Sequence, residues 1–517
     1  MTSYPVLTSL IFFPLAMALV LFLVRCDRAV RWLTLGAGFV EMFLALPLLG
    51  FQLGTGEMQF VEQVPWVARW NLQYYLAVDG ISLFMVVLTV ALLPLCTLCS
   101  WTYISKRAKE FHVCLLMLTG ACVGVFVAMD FVLFYVFWEA MLIPMYLLIA
   151  VWGGPRRRYA SIKFFLYTMA GSTLLLVAIV AFYHQAGTFS IPDLMKTQYS
   201  FHFQFWAFLA MALAFAIKCP MFPFHTWLPA AHVEAPAAGS VYLASVLLKM
   251  GAYGFLRFCL PLTPAASDYF APMMIAISLA SIIYGGLAAL GQHDMKKLIA
   301  YSSVGHMGFV TLGIFLFNSR GVEGAMLQML NHGITTGALF MLVGAIYERS
   351  HSREISDNLG LGKFLPIYMF FFGLFTLSSF GFPGTNSFVG ETLVLIGAFS
   401  SSYWVGAIAI PGALIAAAYM LRLGLKLAWG QPSSVPQGHF WDLNMREWLY
   451  LAPLAVFVLY IGLAPGIFLK VLDPSIDRLL EDFHARSGEM YSESTSLQDR
   501  VAPELAQLVA SDEGELR

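Results

Sequence analysis

Residues 239–257, GSVYLASVLLKMGAYGFLR, and residues 203–218, FQFWAFLAMALAFAIK, are apolar enough to cross a membrane, yet each stretch contains a lysine. Lys249 lies near the middle of the first stretch, and Lys218 ends the second. A lysine in hydrocarbon costs roughly a few kcal/mol or more unless it faces a polar interior or a partner. We therefore interpret both stretches as transmembrane helices whose lysines mark an ion or proton path.

The composition places the whole chain among the polytopic membrane proteins. Of its 517 residues, 59% are hydrophobic and only 11% are charged, whereas soluble domains contain about 25% charged residues. The formal net charge is −1, and no basic run has interleaved aromatic residues, so we expect no nucleic-acid partner. The first apolar run lacks a cationic leader and a small-residue cleavage site, which predicts a retained helix.

Apolar runs of the length that spans a bilayer, about 17–25 residues, recur along most of the chain. They predict an all-α protein with about fourteen transmembrane helices. The predicted spans are residues 3–24, 31–53, 76–100, 112–130, 131–152, 163–184, 203–229, 236–259, 271–291, 297–317, 324–347, 365–400, 403–429 and 446–470.

Lysine and arginine are concentrated in alternate loops. These loops follow the first, third, fifth, ninth and eleventh spans, and they contain Arg25, Arg107, Arg156, Lys297 and Arg353. By the positive-inside rule they are cytoplasmic, which places the N-terminus outside. An even number of spans places the C-terminus outside as well.

Two spans carry helix breakers at mid-membrane depth. They are Pro220 and Pro223 in the seventh span, and Gly381, Pro383 and Gly384 in the twelfth. Proline removes a backbone donor, so we expect both helices to be broken where protein or water satisfies the unwound backbone. The breaks lie five spans apart, and an odd offset is typical of inverted-topology repeats. Two unrelated proline kinks are the alternative.

These features divide the chain into five predicted segments. Helices 1–3 occupy residues 1–110, two inverted five-helix repeats occupy residues 111–260 and 261–430, the last helix lies within residues 431–473, and a polar tail occupies residues 474–517. The tail is too hydrophilic to span a membrane. We expect a short surface helix in it near Ile476–Phe483.

Glu139 lies several residues from either end of the apolar stretch 131–152. A carboxylate in such surroundings has to be neutral or paired, and Lys218 is its natural partner. Because each charge changes the proton affinity of the other, a Glu–Lys pair whose separation changes is a tunable proton site. A static ion pair joining two helices is the alternative, although ionisable residues inside membranes are functional by default.

Two histidines, His306 and His332, lie in the tenth and eleventh spans among small and hydroxyl residues. Histidine passes protons between its ring nitrogens near neutral pH, so a relay role and a structural role are equally supported. Two such histidines could also bind a b-type haem, but no second pair supports that reading. Glu391 follows the twelfth-span break without a basic neighbour in sequence, which suits a site that exchanges protons with an aqueous side.

Taken in chain order, these ionisable residues form a horizontal series across the predicted bundle. The series is Glu139, Lys218, Lys249, His306 or His332, and Glu391. It could connect a half-channel from one side of the membrane with a half-channel to the other. The sequence contains no Walker A motif, no dinucleotide-binding glycine motif and no nucleophile elbow. The energy for uphill transport would therefore come from a partner or an ion gradient.

Several other residues support weaker interpretations. Cys96 and Cys99 form the only C-x-x-C pair, which we interpret as two small residues on one helix face, so we expect no redox centre in this chain. His225, His232 and Glu234 lie after the seventh span, but H-x6-H is not a usual zinc spacing.

The stretch FPFHTWLPAAHVEAPAAGSVYLASVLLKMGAYGFLRF at 222–258 closely resembles the signature of the subunit M family of proton-pumping NADH–quinone oxidoreductase, the bacterial respiratory complex I. Four further stretches resemble the same family in the same order. They are VFWEAMLIPMYLLI, HDMKKLIAYSSVGHMG, LNHGITTGALFMLVG and GFPGTNSFVGE. The resemblance is good over about residues 75–430 and loose at both ends.

This resemblance implies an antiporter-like membrane-arm subunit with broken seventh and twelfth helices. Glu139 and Lys218 would be its coupling pair, Lys249 and the histidines its central relay, and Glu391 its terminal site. The related subunits L and N typically carry lysine at this last position, so Glu391 favours M. Ala230 departs from the family, which usually has aspartate there.

The resemblance also implies partners. NADH, FMN, iron–sulfur clusters and quinone would belong to other subunits, and this chain would carry no cofactor. Subunits L and N would be its neighbours in the bilayer of a bacterial inner membrane, with both termini on the periplasmic side. The nearest alternatives are a subunit of a multisubunit sodium/proton antiporter and a subunit of a membrane-bound hydrogenase. A structural subunit that only fills the arm is a third possibility.

Overall fold

The computed structural model describes residues 4–431 and 441–488, and most of these residues are helical. The elements of the N-terminal part are α1 (Val6–Leu23), α2 (Asp27–Leu44), β1 (Gln59–Val67), β2 (Leu72–Val78), α3 (Gly80–Cys99), α4 (Ala108–Val127), α5 (Phe131–Ala140), α6 (Leu142–Trp152), α7 (Arg157–Ala186) and the single-turn α8 (Ile191–Leu194).

The elements that follow include several short helices. They are α9 (Phe201–Lys218), α10 (Trp227–Glu234), α11 (Ala237–Tyr242), α12 (Leu248–Gly254), α13 (Leu260–Leu262), α14 (Pro264–Leu290), α15 (Met295–Phe315), α16 (Ser319–Ser350), α17 (Pro366–Ser379), α18 (Asn386–Ser401), α19 (Tyr403–Trp429), α20 (Met445–Leu463) and α21 (residues 466–488).

Thirteen helices of the described residues are long and apolar enough to cross a membrane, or up to fourteen if a bent pair counts as one span. The prediction of an all-α protein with about fourteen transmembrane helices is confirmed. The predicted span 365–400 is absent from the thirteen, because it consists of two shorter helices, α17 and α18, separated at residues 380–385. The bent pair joins α17 to the short helical turns at Ile355–Lys363.

An antiparallel hairpin of β1 and β2 is an addition to the predicted all-α architecture. Asn71 turns the chain between the strands in the left-handed conformation, at φ 51°. The carboxylate of Glu62 on β1 accepts hydrogen bonds from the backbone N–H groups of Leu7 and Thr8. These bonds satisfy donors at the start of α1 that have no partner within the helix. We call this end of the bundle the hairpin face.

The opposite end of the bundle carries the arginine- and lysine-rich loops, and we call it the basic face. An ion-pair network ties its helices together. Arg349 on α16 forms two hydrogen bonds with the carboxylate of Glu447 on α20, at 2.9 and 2.7 Å. Such bidentate pairs fix both the distance and the orientation of their partners.

The degree of burial separates central helices from peripheral ones. The segment Ala237–Leu262 is fully buried, and the apolar parts of α15 and α16 are 89% and 94% buried. By contrast, α2 and α19 are only 33% buried, because their apolar side chains face outward, as expected for lipid-facing helices. The central helices therefore enclose the polar side chains described below.

The C-terminal helix α21 runs across the hairpin face. The Ser475 hydroxyl accepts a hydrogen bond from the Gly80 backbone N–H at 3.0 Å, and His484 Nε2 lies 3.1 Å from the Phe317 carbonyl oxygen. Its buried apolar face consists of Leu472, Ile476, Leu480 and Phe483. This helix is longer than the short surface helix that the sequence predicts, and α20 ends before the predicted limit of the last span. Residues 489–517 of the predicted tail lie outside the described residues.

Candidate proton relay

Lys249 lies in a span that is interrupted by two π-helical turns, Leu243–Leu247 and Phe255–Cys259. Such turns occur often at functional sites. The ammonium group of Lys249 donates a hydrogen bond to the carbonyl oxygen of Ala244, within the first π turn. Gly251 faces α9 so closely that an added Cβ would lie 2.6 Å from the carbonyl oxygen of residue 215. Glycine is therefore required there for the two helices to pack.

His332 on α16 is the second partner of Lys249. Its Nδ1 atom lies 2.6 Å from the Lys249 Nζ, and both side chains are buried. An ammonium group can only donate, so Nδ1 accepts when Lys249 is charged, and the neutral ring carries its proton on Nε2. That Nε2 atom is buried and has no hydrogen-bond partner among residues 4–431 and 441–488.

The next group beyond His332 is His306 on α15. The two imidazole rings have centroids 5.7 Å apart at an interplanar angle of 57°. His306 Nδ1 lies 2.8 Å from Oε1 of Glu391, and its Nε2 lies 3.4 Å from the Tyr419 hydroxyl. The structure thus brings both predicted histidines into one series.

Glu391 on α18 ends this series. Besides His306, its Oε1 atom accepts a hydrogen bond from Nε2 of Gln328 at 2.9 Å. Gln328 and Tyr419 were missed by the sequence reasoning. Gln328 lies one helical turn before His332 on α16, so a search for polar residues four positions from a candidate histidine would have found it. No such spacing from a candidate histidine points to Tyr419.

Lys218, in contrast, is separated from this series. It ends α9, where its ammonium group lies 4.9 Å from the Trp138 ring centroid and 3.4 Å from the Met141 sulfur. The side chains of the described residues form no hydrogen bond that links Lys218 with Lys249. Cys219, next in the chain, packs against Gly251, two residues after Lys249, so a close contact between two helices occupies the junction.

Glu139 lies near Lys218, but the two do not form the ion pair that the sequence suggested. The Oε1 atom of Glu139 is buried and has no hydrogen-bond partner in the part of the chain that the structure describes. The Lys218 ammonium group instead contacts Trp138 and Met141, on either side of Glu139 in the chain. The pair is therefore seen here in a separated arrangement.

The backbone between α9 and α10 contains Pro220 and Pro223, and polar side chains satisfy its freed groups. The Phe222 N–H donates to the Ser281 hydroxyl at 2.9 Å, and the Trp227 indole N–H donates to the Ile217 carbonyl at 2.8 Å. Unwound backbone is tolerated at membrane depth only with such partners.

The break between α17 and α18 contains Gly381, Pro383 and Gly384. Gly381 and Gly384 have φ values of +73° and +89°, which favour glycine. A Cβ on Gly381 would lie 3.4 Å from Oε2 of Glu391. Asn386 at the start of α18 accepts a hydrogen bond from the Asn331 side chain at 2.8 Å through its backbone carbonyl. The break therefore lies directly against the end of the relay.

The remaining candidates lie nearer the basic face. The Glu234 carboxylate accepts a hydrogen bond from the Arg156 backbone N–H at 2.8 Å, and His232 stacks on Phe340. Within residues 4–431 and 441–488 no group of three or more histidine, cysteine, aspartate or glutamate side chains is arranged to hold a metal ion.

Two families match the chain along its length. The family described as NADH:quinone oxidoreductase/Mrp antiporter, transmembrane region, matches residues 128–416. The amino-terminal region of NADH-ubiquinone oxidoreductase chain 4 matches residues 9–123. The first match contains every residue of the candidate relay.

Individual relatives are similar over nearly the whole chain. NADH-quinone oxidoreductase subunit M of Rhodobacter capsulatus is 45% identical over 504 residues, which covers 94% of this chain and 98% of the relative. A chain of respiratory complex I from Thermus thermophilus is 30% identical, with a TM-score of 0.85 over 92% of this chain and 99% of the other.

A chain of the Mrp complex from Dietzia sp. DQ12-45-1b has the same fold, with a TM-score of 0.81 over 94% of this chain and 100% of the other at 22% identity. At that identity the likeness concerns the fold alone. The matches at 40–45% identity are more specific. The chain belongs to the subunit M family of NADH–quinone oxidoreductase.

Proposed function

We propose that this chain is a proton-translocating subunit in the membrane arm of a bacterial NADH–quinone oxidoreductase, and that protons pass along Lys249, His332, His306 and Glu391. The observation that carries the proposal is the arrangement of these four buried side chains: Lys249 lies 2.6 Å from His332, His306 lies 2.8 Å from Glu391, and the two imidazole rings have centroids 5.7 Å apart. Imidazole groups can receive a proton on one nitrogen and release one from the other.

Glu139 and Lys218 would couple this relay to the rest of the enzyme. At an effective dielectric constant of about 20, unit charges about 4 Å apart interact by roughly 4 kcal/mol. This corresponds to about a thousandfold change in proton affinity. Closing the observed separation between the two side chains would hold a proton on Lys218, and opening it would drive the proton toward Lys249. The close contact between Cys219 and Gly251 would have to open to water during that step.

The partners and location follow from the same proposal. Subunits L and N would be the neighbours in the membrane arm, and the other subunits would carry NADH, FMN, the iron–sulfur clusters and quinone. The basic face would be cytoplasmic and the hairpin face periplasmic in a bacterial inner membrane, because arginine and lysine favour cytoplasmic loops. The breaks at Pro220 and Gly381 would be equivalent positions of two inverted five-helix repeats.

The proposal is tested by NADH-driven proton uptake in membrane vesicles that carry Lys218→Ala. Assembly is checked on native gels, and Lys106→Ala, at an exposed lysine on the basic face, is the matched control. We expect an assembled complex in which NADH oxidation and proton uptake both fall by about tenfold or more. Activity that falls only together with assembly would indicate a structural subunit. Unchanged oxidation and uptake would reject the proposal, and sodium/proton exchange would then be assayed.

A further inference from the structure

A cavity of about 590 Å³ opens on the basic face, away from the relay. Three parts of the chain line it: the turn between α14 and α15, the segment between α16 and α17, and the end of α19. Its charged side chains are Arg422 and Lys426 on α19 and Glu354 before α17, and His293 adds an imidazole. Its volume lies in the range of cavities that bind small molecules, about 300–1,000 Å³. The cavity is therefore large enough to hold a ligand.

The two cations of the cavity lie one helical turn apart on the same side of α19, and both are exposed. Nη1 of Arg422 donates a hydrogen bond to the Leu290 carbonyl oxygen at 2.9 Å, which fixes the guanidinium against the end of α14. No carboxylate of residues 4–431 and 441–488 forms an ion pair with Arg422 or Lys426. An arginine fork beside a lysine, without an ion-pair partner, suits a phosphate group.

The position of the cavity matches the depth of lipid headgroups. Trp429 is the last residue of α19, between the lining residues Lys426 and Gly430, and 77% of it is exposed. Exposed tryptophan at the end of a spanning helix is typical of the aromatic belt at the membrane surface. The phosphate groups of the adjacent leaflet therefore lie at the level of Arg422 and Lys426.

An apolar surface adjoins the cavity on its membrane side, where α14 and α19 pack together. A Cβ on Gly286 of α14 would lie 2.8 Å from Cγ2 of Ile415 on α19. Leu287, next to this contact, and Leu425, between the two cations in the chain, are each 53% exposed. Because α19 is only 33% buried, its outward side chains are available to pack against acyl chains.

We propose that this cavity is a phospholipid-binding site in which Arg422 and Lys426 hold the phosphate group of one lipid. The guanidinium would form paired hydrogen bonds with two phosphate oxygens, and the ammonium group would supply a second positive charge. The Glu354 carboxylate would accept a hydrogen bond from the hydroxyl or ammonium group of the headgroup. Basic pockets between spanning helices bind lipid headgroups in this manner. The inference does not depend on the proposed proton path, because none of the relay residues lines the cavity.

The test is photo-crosslinking of the assembled complex in vesicles of phosphatidylcholine that contain a small fraction of phosphatidylglycerol with a diazirine near its glycerol group. Labelled peptides are identified by mass spectrometry. We expect labelling of residues 287–297 and 418–430 in the wild type, and about tenfold less in the double variant Arg422→Gln, Lys426→Gln, because two charges near the phosphate are lost. The matched control is Lys106→Gln, Arg158→Gln, which removes two exposed cations elsewhere on the basic face and should leave labelling unchanged.

Three results would overturn the inference. The first is equal labelling of these peptides in the double variant and the control. The second is labelling that an excess of inorganic phosphate abolishes, which would assign the cavity to free phosphate. The third is the absence of labelling in the assembled wild-type complex, which would show that another subunit covers the cavity. This last measurement needs no variant, so it decides the case in which the double variant does not assemble.

Discussion

Nδ1 of His306 lies 2.8 Å from Oε1 of Glu391, and both side chains are buried. Gln328 donates a hydrogen bond to the same oxygen, while the second oxygen faces Gly381 in the break between α17 and α18. The terminal carboxylate is therefore held by two donors on one side and adjoins unwound backbone on the other. Each contact is open to a separate test.

Glu391→Gln should lower NADH-driven proton uptake by about tenfold or more, because an amide cannot take up the proton shared with His306. Glu391→Asp should largely preserve activity, since it keeps the carboxyl group. The measurement is uptake in vesicles with equal amounts of assembled complex. Wild-type behaviour of the glutamine variant would show that Glu391 is not a protonation site.

Lys249→Ala should impair NADH oxidation and proton uptake together, by about tenfold or more each, because the two are coupled. Alanine removes both the ammonium group and its contact with His332. The informative quantity is the number of protons moved per electron in the residual activity. A ratio that falls would show that protons bypass the pump, and wild-type oxidation and uptake in an assembled complex would remove Lys249 from the path.

Gln328→Leu should remove the hydrogen bond to the Glu391 carboxylate. A hydrogen bond to a charged group usually contributes about 1.5–3 kcal/mol. We expect reduced proton uptake and a shifted pH profile of turnover in a complex that assembles normally. Gln63→Ala, at an exposed glutamine in the hairpin, is the control. A pH profile identical to the wild type would contradict a role for Gln328 in setting the state of Glu391.

Gly381→Ala should be unfavourable by about 1–2 kcal/mol, because φ at this position is +73° and an L-residue is strained there. Its methyl group would also lie in van der Waals contact with Oε2 of Glu391. Gly373→Ala is the matched control, since nothing lies within 4 Å of a Cβ at that position in α17, and alanine is favoured inside helices. Thermal denaturation of the assembled complex, together with turnover, distinguishes the two variants. Equal changes of thermal stability and turnover in the two variants would contradict the requirement for glycine at position 381.

Asp79→Asn should destabilise the protein by about 3–5 kcal/mol, because it leaves the buried guanidinium of Arg257 without its counter-charge. The two side chains lie 2.7 Å apart with 4% and 9% of their surfaces exposed. Asp193→Asn breaks an exposed pair with Lys196 and should cost less than about 1 kcal/mol. The amount of assembled complex on native gels and its thermal midpoint provide the comparison. Similar losses of stability in the two variants would contradict the expectation that breaking the buried pair costs more than breaking the exposed one.

The class of protein, the approximate number of spans and most of the ionisable residues of the candidate site can be read from the amino-acid sequence. Hydrophobicity over about 20 residues is a local property, so it predicts a span without knowledge of the neighbours. The high cost of burying a charge in hydrocarbon likewise singles out Lys249 and Glu391 within their own segments. The inverted repeats and the five-segment division of the chain remain predictions.

Which of these residues contact one another depends on the packing of the helices and cannot be read from the sequence. Lys249 and His332 are 83 positions apart, and His306 and Glu391 are 85 positions apart. Their contacts depend on helix rotation, on the π turns and on the backbone break at Gly381. The same packing separates Lys218 from Glu139, although both lie where the sequence suggested a pair. A residue's cost of burial is set by its own segment, whereas its partners are set by how close the helices can approach.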